Sequence, residues 1–363
     1  MNAVPLSVRP DWPIQDTELV EACPACGHAC SHVLHAGLRD LAFASAPGAW
    51  TLVQCDGCGC AFLERRPTPQ TIGRAYATYY THEGSAASQP EAPSAGARVR
   101  RILANGYRNR LYGSRLRPSL GLVGTLAGWA LPAARARVAR EAPGLLGARP
   151  AEPGVSRLLD VGSGSGRLLK LARSAGWVAM GVEPDAAACA VARESGLEII
   201  AAQLDEVPAS FDAQFDRIVL SHVIEHVHDP AAMLRHCRRL LRPDGVLWLE
   251  TPNLDSLGHA QFGADWRGLE PPRHLVLFRR AELKRLLAAA GFSRIDDADP
   301  RDVTALLFEV SARIREGRLN GETTQCALTD TQRAEVAELA REARARLRSE
   351  PGRAEYITLQ ARP

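Results

Sequence analysis

The chain has 363 residues, of which 46% are hydrophobic and 23% are charged. This composition is typical of a globular protein and excludes wholesale disorder. The 44 lysines and arginines against 41 acidic residues leave a formal net charge of +3, which gives no reason to expect a polyanionic partner.

The sequence shows no targeting or membrane-spanning segment. Residues 1–20 contain Arg9, Asp11, Asp16 and Glu18 and lack the apolar core of a signal peptide. The longest uncharged stretch, residues 118–134, is interrupted by glycine and proline and is shorter than the roughly 20 residues that a spanning helix needs. We therefore expect a cytoplasmic protein. In that reducing compartment, nine cysteines indicate metal binding for some of them.

Two C-x-x-C motifs follow the N-terminal tail of residues 1–20. Their cysteines are Cys23 with Cys26 and Cys55 with Cys58, and each motif is followed by a glycine that permits a tight turn. Four thiolates at this spacing favour a closed tetrahedral Zn²⁺ site over a redox pair. With residues 50–54 as a strand, residues 21–66 fit a zinc ribbon whose ion is structural. Cys30 and Cys60 lie off this spacing, and we expect them to be ordinary buried or surface thiols.

Two segments separate the predicted ribbon from the rest of the chain. Residues 67–97 contain several tyrosines and then a Ser-, Ala- and Pro-rich stretch, residues 84–97, that is typical of a flexible linker. Residues 98–150 contain eleven arginines and a single acid, and we interpret them as a basic helical region. Such a helix could rest on an anionic membrane surface, which would suit a lipid-linked acceptor. Its glycines and prolines favour the alternative, a helical cap whose apolar face belongs to the core.

A strand, a glycine-rich turn and a helix begin near residue 155. Residues 157–161 form a short apolar strand containing Asp160, the turn GSGSG occupies 162–166, and helical periodicity starts at Arg167. Glycines in such a turn allow the backbone to approach a ligand closely. The next strand, residues 178–183, ends in Glu183, which is suitably placed to accept hydrogen bonds from ribose hydroxyls. This unit predicts a nucleotide-binding site.

Strands and helices continue to alternate towards the C-terminus. We predict strands at 197–202, 216–221 and 245–250, with helices at 185–195 and from Asp229 onward. A helix at 278–291, a strand at 292–295, a helical excursion at 302–350 and a strand at 356–360 follow. The alternation predicts an α/β, doubly wound Rossmann-like sheet in residues 151–363, with ligands at the carboxyl ends of its strands.

In order and spacing, four motifs resemble those of the class I S-adenosylmethionine-dependent methyltransferases. They are LLDVGSGSG at 158–166, GVEPD at 181–185, FDRIV at 215–219 and LRPDG at 241–245, and the resemblance covers about residues 155–297. It implies that one group of residues holds the methionine part of the cofactor. These residues are Asp160, Gly162, Ser163, Gly164 and Gly166.

The same resemblance assigns residues to the other parts of the cofactor. It implies that Glu183 holds the ribose, that Gln203 and Leu204 flank the adenine, and that Ser221 approaches the cofactor from the fourth strand. It also implies that residues 356–360 form the antiparallel last strand with which the sheets of this family close.

The sequence SHVIEHVHD after the fourth strand, residues 221–229, supplies candidates for acceptor deprotonation. A neutral histidine suits proton abstraction near pH 7, and we predict His226 as the base, with Glu225 beside it. Packing of the loop explains the pair equally well. A divalent-metal site is a third alternative, suggested by relatives that methylate quinone precursors and carry a similar pair. His222 and His228 are weaker candidates because we expect one or both to face solvent.

A cysteine ribbon, a tyrosine segment and this core together resemble the zinc-ribbon methyltransferases of deoxysugar and polysaccharide pathways. The resemblance implies an acceptor pocket lined by Tyr76, Tyr79, Glu225 and His226. The sugar C-methyltransferases of that group have a second large α/β domain for which this chain has no room. We therefore expect O-methylation of a sugar, glycan or glycolipid hydroxyl rather than C-methylation.

Other interpretations remain open at this stage. The segment 266–275 could form a wall of the acceptor pocket with His274 or Arg273 facing the substrate, or a proline-stiffened connection, and we do not include it among the predicted catalytic residues. The activity could be that of an RNA methyltransferase with the ribbon on RNA, although few aromatic residues accompany the arginines. It could also be a quinone-precursor-like small-molecule O-methyltransferase, or the fold could be a non-catalytic scaffold. The sequence does not indicate the oligomeric state.

Overall fold

The computed structural model describes residues 11–76, 95–131, 134, 138, 141–145, 148–321 and 324–363. Its helices are α1 (Ala95–Tyr112), α2 (Gly121–Ala130), α3 (Arg167–Ser174), α4 (Ala186–Glu194), α5 (Pro230–Leu240), α6 (Leu257–Phe262), α7 (Arg280–Ala289), α8 (Thr304–Leu319) and α9 (Asp330–Arg346). Its strands are β1 (Thr17–Leu19), β2 (Ser31–Leu38), β3 (Trp50–Cys55), β4 (Ala61–Leu63), β5 (Arg65–Pro67), β6 (Arg157–Val161), β7 (Val178–Val182), β8 (Glu198–Ile200), β9 (Phe215–Ser221), β10 (Leu241–Pro252), β11 (Val276–Leu277), β12 (Arg294–Asp297) and β13 (Tyr356–Arg362).

The largest sheet has seven strands in the order β12-β13-β10-β9-β6-β7-β8. β6 pairs in parallel with β7 and with β9, and β7 pairs in parallel with β8. Parallel strands alternating with helices confirm the predicted α/β Rossmann-like fold. In this topology the carboxyl ends of β6 and β7 are neighbours, so the residues that follow these two strands share one edge of the sheet.

Local signals explain why these elements form where they do. Asp185 caps α4 by accepting hydrogen bonds from the backbone N–H groups of Ala187 and Ala188. Leu158 and Leu159 point to opposite faces of β6 and both are fully buried, as expected for a strand covered on both sides. The predicted strand 292–295 is displaced to Arg294–Asp297, because Phe292 is buried as a core residue ahead of the strand.

The chain divides into two compact units. The first, here the cysteine unit, comprises Met1–Tyr79, His222–Leu234 and Glu250–Leu359. The second, here the glycine-loop unit, comprises Tyr80–Ser221, Arg235–Leu249 and Gln360–Pro363.

The cysteine unit contains a four-stranded antiparallel sheet in the order β11-β4-β3-β2 and a two-stranded sheet of β1 with β5. Leu52, Phe62 and Leu63 of β3 and β4 are buried. β11 joins this sheet by pairing Val276 with Phe62. The segment before β11 is therefore anchored beside β4, the strand that follows the second C-x-x-C motif.

In the glycine-loop unit, Tyr107 and Tyr112 of α1 belong to the same hydrophobic cluster as Leu158, Leu169 and Trp248. α1 thus contributes to the core, as a helical cap would. Residues 95–97, predicted as the end of a linker, form its first turn. The remainder of that linker and the predicted pocket residue Tyr79 lie outside the described residues. None of the helices in the described ranges combines the length and the apolarity that crossing a membrane requires.

Candidate functional site

The four predicted zinc ligands come together in the cysteine unit. The Sγ atoms of Cys23, Cys26, Cys55 and Cys58 all lie within 4.8 Å of one another. Both motifs fold alike: the N–H of the glycine after each motif donates to the carbonyl of its first cysteine, at 2.8 Å and 2.9 Å. Both glycines have positive φ, 76° and 73°, which a residue with a Cβ rarely adopts.

The dimensions of this cluster suit a tetrahedral ion. The Sγ–Sγ distances are 3.7 Å for Cys23–Cys58 and 3.5 Å for Cys26–Cys55. Zn–S bonds of about 2.3 Å in a tetrahedron require edges of about 3.8 Å. Burial raises the pKa of Cys23 and brings that of Cys26 to about 11, so a nearby cation is needed to ionise these thiols together. The cluster is consistent with a zinc site.

The two cysteines that we left outside the ligand set also lie outside this cluster. Cys30 is exposed, whereas Cys60 is buried and its Sγ accepts a hydrogen bond from the backbone N–H of Arg279. Both match the expectation of ordinary surface or buried thiols.

A backbone cradle follows β6 in the glycine-loop unit. Gly162, Gly164 and Gly166 have φ values of 69°, 51° and 80°, so three nearby residues occupy the left-handed region. The carboxylate of Glu183 accepts hydrogen bonds from the N–H of Gly164 at 2.8 Å and of Asp185 at 2.9 Å. The Oγ of Ser163 is buried and has no hydrogen-bond partner among the described residues. This orphaned hydroxyl indicates a place for a polar ligand atom.

The electrostatics of the cradle favour a cationic ligand. Burial raises the pKa of Asp160 to about 8, and the negative charge of Glu183 adds to this effect. Burial likewise raises the pKa of Glu183. Neither carboxylate forms an ion pair with a residue that the structure describes. A bound cation would supply a positive charge there.

The other predicted cofactor residues lie after β8 and at the end of β9. Leu204 is buried in a short 3₁₀ helix, Leu204–Glu206, and the backbone N–H of Gln203 donates to the Glu206 carboxylate. Ser221 is half-buried and ends β9. Their roles towards a cofactor stay predictions.

Glu225 is a fully buried carboxylate in the cysteine unit. One of its oxygens accepts a hydrogen bond from Thr251 Oγ1 at 2.8 Å, and the other lies 3.2 Å from His222 Nδ1. Burial alone would raise its pKa, but the hydrogen bond from His222 counteracts burial and lowers the pKa to about 2. Glu225 is therefore ionised at neutral pH.

The ring of His226 is oriented by its backbone and side-chain contacts. Its Nδ1 lies 3.0 Å from the backbone carbonyl oxygen of Arg273 and 3.0 Å from the hydroxyl of Tyr76. Because a carbonyl only accepts hydrogen bonds, Nδ1 carries the proton and Nε2 keeps its lone pair. Two of the predicted pocket residues, Tyr76 and His226, are thus in direct contact.

The expectation that His222 or His228 faces solvent is wrong. The Nδ1–H of His222 donates to Glu225, and its Nε2 accepts a hydrogen bond from Arg301 at 2.8 Å. His228 Nε2 donates to the carbonyl of Pro67 at 2.9 Å. Both rings thus connect separate segments of the chain. Arg301 and Pro67 are distant in sequence from these histidines, so the local pattern could not predict the contacts.

Arg273, left out of the predicted catalytic set, is completely buried. Its guanidinium forms ion pairs with Asp40 at 2.5 Å and Glu270 at 3.0 Å, and it donates to Ser45 Oγ and to the carbonyl of Ala75. The sequence offers Arg273 or His274 of this segment as the residue that faces the substrate, but the Arg273 side chain is bound within the protein. Asp40 belongs to no sequence motif, so no signal in the sequence could have indicated its ion pair with Arg273.

His274 joins Glu225 and His226 in a second group of metal-ligating side chains. One ligand atom from each lies within 4.8 Å of the others. His274 Nδ1 donates to the carbonyl of Gly268 at 2.7 Å, which leaves its Nε2 as an acceptor, and burial lowers its pKa to about 4. A carboxylate with two neutral imidazoles can accept protons or bind a divalent cation.

Residues 132–296 match a protein family described as "Methyltransferase domain". Relatives include the ubiquinone biosynthesis O-methyltransferase of Chelativorans sp. (strain BNC1), 36% identical over 146 residues, which are 37% of this chain and 58% of the relative. The enzyme of the same name from Pseudomonas aeruginosa (strain LESB58) is 30% identical over 160 residues, or 42% of this chain and 68% of the relative. The chain thus spans under two thirds of the first relative's length.

The comparison with solved structures gives further matches. An S-adenosylmethionine-dependent methyltransferase from Archaeoglobus fulgidus is 18% identical with a TM-score of 0.41, covering 64% of this chain and 94% of that one. A methyltransferase from Mesorhizobium loti is 20% identical with a TM-score of 0.38, covering 58% and 94%.

The buried ion pair between Arg273 and Asp40 predicts a large stability effect. Asp40→Ala leaves the guanidinium with one carboxylate fewer in a dry environment, and we expect it to lower the free energy of unfolding by about 3–5 kcal/mol in urea titrations. Asp56→Ala is the matched control, because Asp56 pairs with His32 at the surface and we expect it to cost less than about 1 kcal/mol. Equal effects of the two substitutions would contradict the account.

Proposed function

Because this chain belongs to the class I S-adenosylmethionine-dependent methyltransferases, we propose that it methylates a hydroxyl group of a small-molecule acceptor, with His226 as the proton acceptor. The observation that carries the proposal is the fixed orientation of His226, whose Nδ1–H is bound by the Arg273 carbonyl. Nε2 then carries the lone pair that can accept a proton, and the ionised carboxylate of Glu225 lies within 4.8 Å of a ligand atom of the His226 ring.

The cofactor would be held by residues of the glycine-loop unit. Bound S-adenosylmethionine supplies an electrophilic methyl group on a sulfonium centre. Asp160 and Glu183 would stabilise its positive charge and accept hydrogen bonds from its ribose and ammonium groups. The backbone of Gly162 and Gly164 would approach it without an intervening Cβ.

The proton of the acceptor hydroxyl would move to His226 Nε2. The Arg273 carbonyl keeps the ring in the tautomer that can receive it, and Glu225 stabilises the imidazolium that results. The Tyr76 hydroxyl, in contact with the same ring, would help to position the acceptor. The imidazolium then releases the proton to water, which restores the neutral ring.

The relatives favour the small-molecule alternative over the sugar or glycan acceptor and over RNA. Those at 30–36% identity are named as O-methyltransferases of ubiquinone biosynthesis. A phenolic hydroxyl is also the more acidic acceptor and needs a weaker base. The contact between Tyr76 and His226 keeps a sugar hydroxyl as the second candidate, because the resemblance to sugar methyltransferases assigned both residues to one pocket.

We also propose that the four clustered cysteines bind one structural Zn²⁺. Support comes from the Sγ–Sγ distances and the glycine turns, both typical of zinc knuckles. All four ligand positions would be filled by protein. The ion would therefore stabilise the fold and take no part in the reaction.

His226→Gln tests the proposed base. Since general-base catalysis contributes typically about 10²–10⁴-fold, we expect kcat/KM to fall by that factor while S-adenosylmethionine still binds with unchanged affinity. The assay is transfer of a labelled methyl group to phenols, catechols and nucleotide-linked sugars, with the surface variant His32→Gln as control. Full activity of His226→Gln would contradict the assignment. Loss of wild-type activity with a chelator that leaves one Zn²⁺ per chain in place, restored by a second divalent cation, would assign His226 to a metal site instead.

Cofactor affinity should depend on pH through Asp160. Because its pKa is about 8 and a cation binds best to the ionised carboxylate, the affinity for S-adenosylmethionine should rise about tenfold per pH unit below 8 and level off above it. Calorimetric titration of the wild type, Asp160→Asn and the surface control Asp244→Asn measures this. We expect Asp160→Asn to bind weakly with a flatter profile. A wild-type profile in Asp160→Asn would show that another group titrates.

Removal of one clustered cysteine should remove the metal. We expect one Zn²⁺ per chain by elemental analysis in the wild type and in Cys30→Ser, and none in Cys55→Ser, whose Tm should also fall because metal binding contributes to folding. Zinc that remains in Cys55→Ser, or is absent from the wild type, would contradict the proposed site.

A further inference from the structure

Helix α2 of the glycine-loop unit exposes a stripe of large apolar side chains. Leu122, Leu126 and Trp129 lie at i, i+4 and i+7 on one face and are 79%, 62% and 75% exposed. Val123 beside them and Leu120 and Leu131 at the two ends are also more than half exposed. Monomeric proteins rarely expose a contiguous apolar surface of this kind without a partner. The expectation that the apolar residues of this helix belong to the core is therefore wrong.

The opposite face of α2 is made of glycine. Gly124 and Gly128 are buried against α1, where a Cβ on Gly124 would come within 2.5 Å of the Leu103 carbonyl oxygen and a Cβ on Gly128 within 2.4 Å of the Tyr107 ring. A Cβ on Gly106 of α1 would likewise lie 3.1 Å from the Gly124 Cα. The backbones touch, so α2 cannot rotate to bury its stripe there.

The helix pair that carries the stripe is strongly basic. Residues 95–131 contain seven arginines, no lysine and no acid. Arg108 forms an ion pair with Glu141. The other six are exposed and form no ion pair with any residue in the described ranges. They are Arg98, Arg100, Arg101, Arg110, Arg115 and Arg117.

We propose that α2 docks this protein on an anionic lipid surface, with the stripe in the acyl-chain boundary and the arginines on the headgroups. Apolar contact with basic flanks is the chemistry of interfacial helices, and tryptophan favours this depth. With ten residues, α2 is about 15 Å long and lies in the interface without spanning it. Its packing on α1 holds the helix in place, so its glycines do not prevent docking.

Charge distinguishes a lipid surface from a second copy of the chain. A dimer through the stripe would bring the exposed arginines of the two copies together, where their like charges repel. An anionic surface neutralises them. The stripe also lies outside residues 132–296, the segment that matches the methyltransferase family, so the proposal does not rest on the proposed reaction.

Co-sedimentation with vesicles tests the proposal. We expect the full chain to bind phosphatidylcholine vesicles that contain phosphatidylglycerol about tenfold or more tightly than pure phosphatidylcholine vesicles, and high salt to weaken the binding. The triple variant Leu122→Ser/Leu126→Ser/Trp129→Ser should bind at least about tenfold more weakly with an unchanged Tm. Val155→Ser, an exposed apolar residue of the same unit, is the control and should bind like the wild type.

Arginine variants and a measurement of self-association complete the test. Arg100→Gln/Arg101→Gln should weaken binding to the anionic vesicles only. Equal binding to both vesicle types, or unchanged binding of the triple variant, would overturn the proposal. So would a dimer in sedimentation velocity that the triple variant abolishes, because a second copy would then cover the stripe.

Discussion

The arrangement of the histidine cluster depends on one buried arginine. The guanidinium of Arg273 is held by Asp40, Glu270 and the carbonyl of Ala75, while its own backbone carbonyl accepts the Nδ1–H of His226. A buried charge cannot lose its partners without a cost of several kcal/mol, so these distant segments are held in one arrangement. That arrangement places Tyr76, the neighbour of Ala75, against the ring that we propose as the proton acceptor.

The proposed cofactor site and the proposed proton-accepting site differ in how their surroundings shift pKa values. In the glycine-loop unit, Asp160 and Glu183 have raised pKa values and no cation among the described residues, so this unit is prepared for a positively charged ligand. In the cysteine unit, the hydrogen bond from His222 keeps Glu225 ionised, whereas burial keeps His274 neutral. These differences follow from burial and neighbouring charge, and they support one site for the cofactor and another for the proton.

The sequence predicted those features whose signal is local. The C-x-x-C motifs, the glycine turn and the alternation of strands and helices each lie within a short segment, and each was found close to its predicted place. The role of Asp40 depends on Arg273, 233 residues later, and no local pattern records that pair. The sequence predicted that the apolar residues of α2 are core, because composition cannot tell which face of a helix packs. In the structure, the glycine face of α2 packs against α1.

The most direct test of this account is to determine which ring nitrogen of His226 carries the proton. Nitrogen-15 NMR of histidine-labelled protein, with the His226 signals identified by their loss in His226→Gln, reports which ring nitrogen carries the proton. The account predicts that the neutral form of the ring carries its proton on Nδ1 and leaves Nε2 unprotonated. A proton on Nε2 would show that the Arg273 carbonyl does not orient the ring and that His226 cannot accept a proton as proposed.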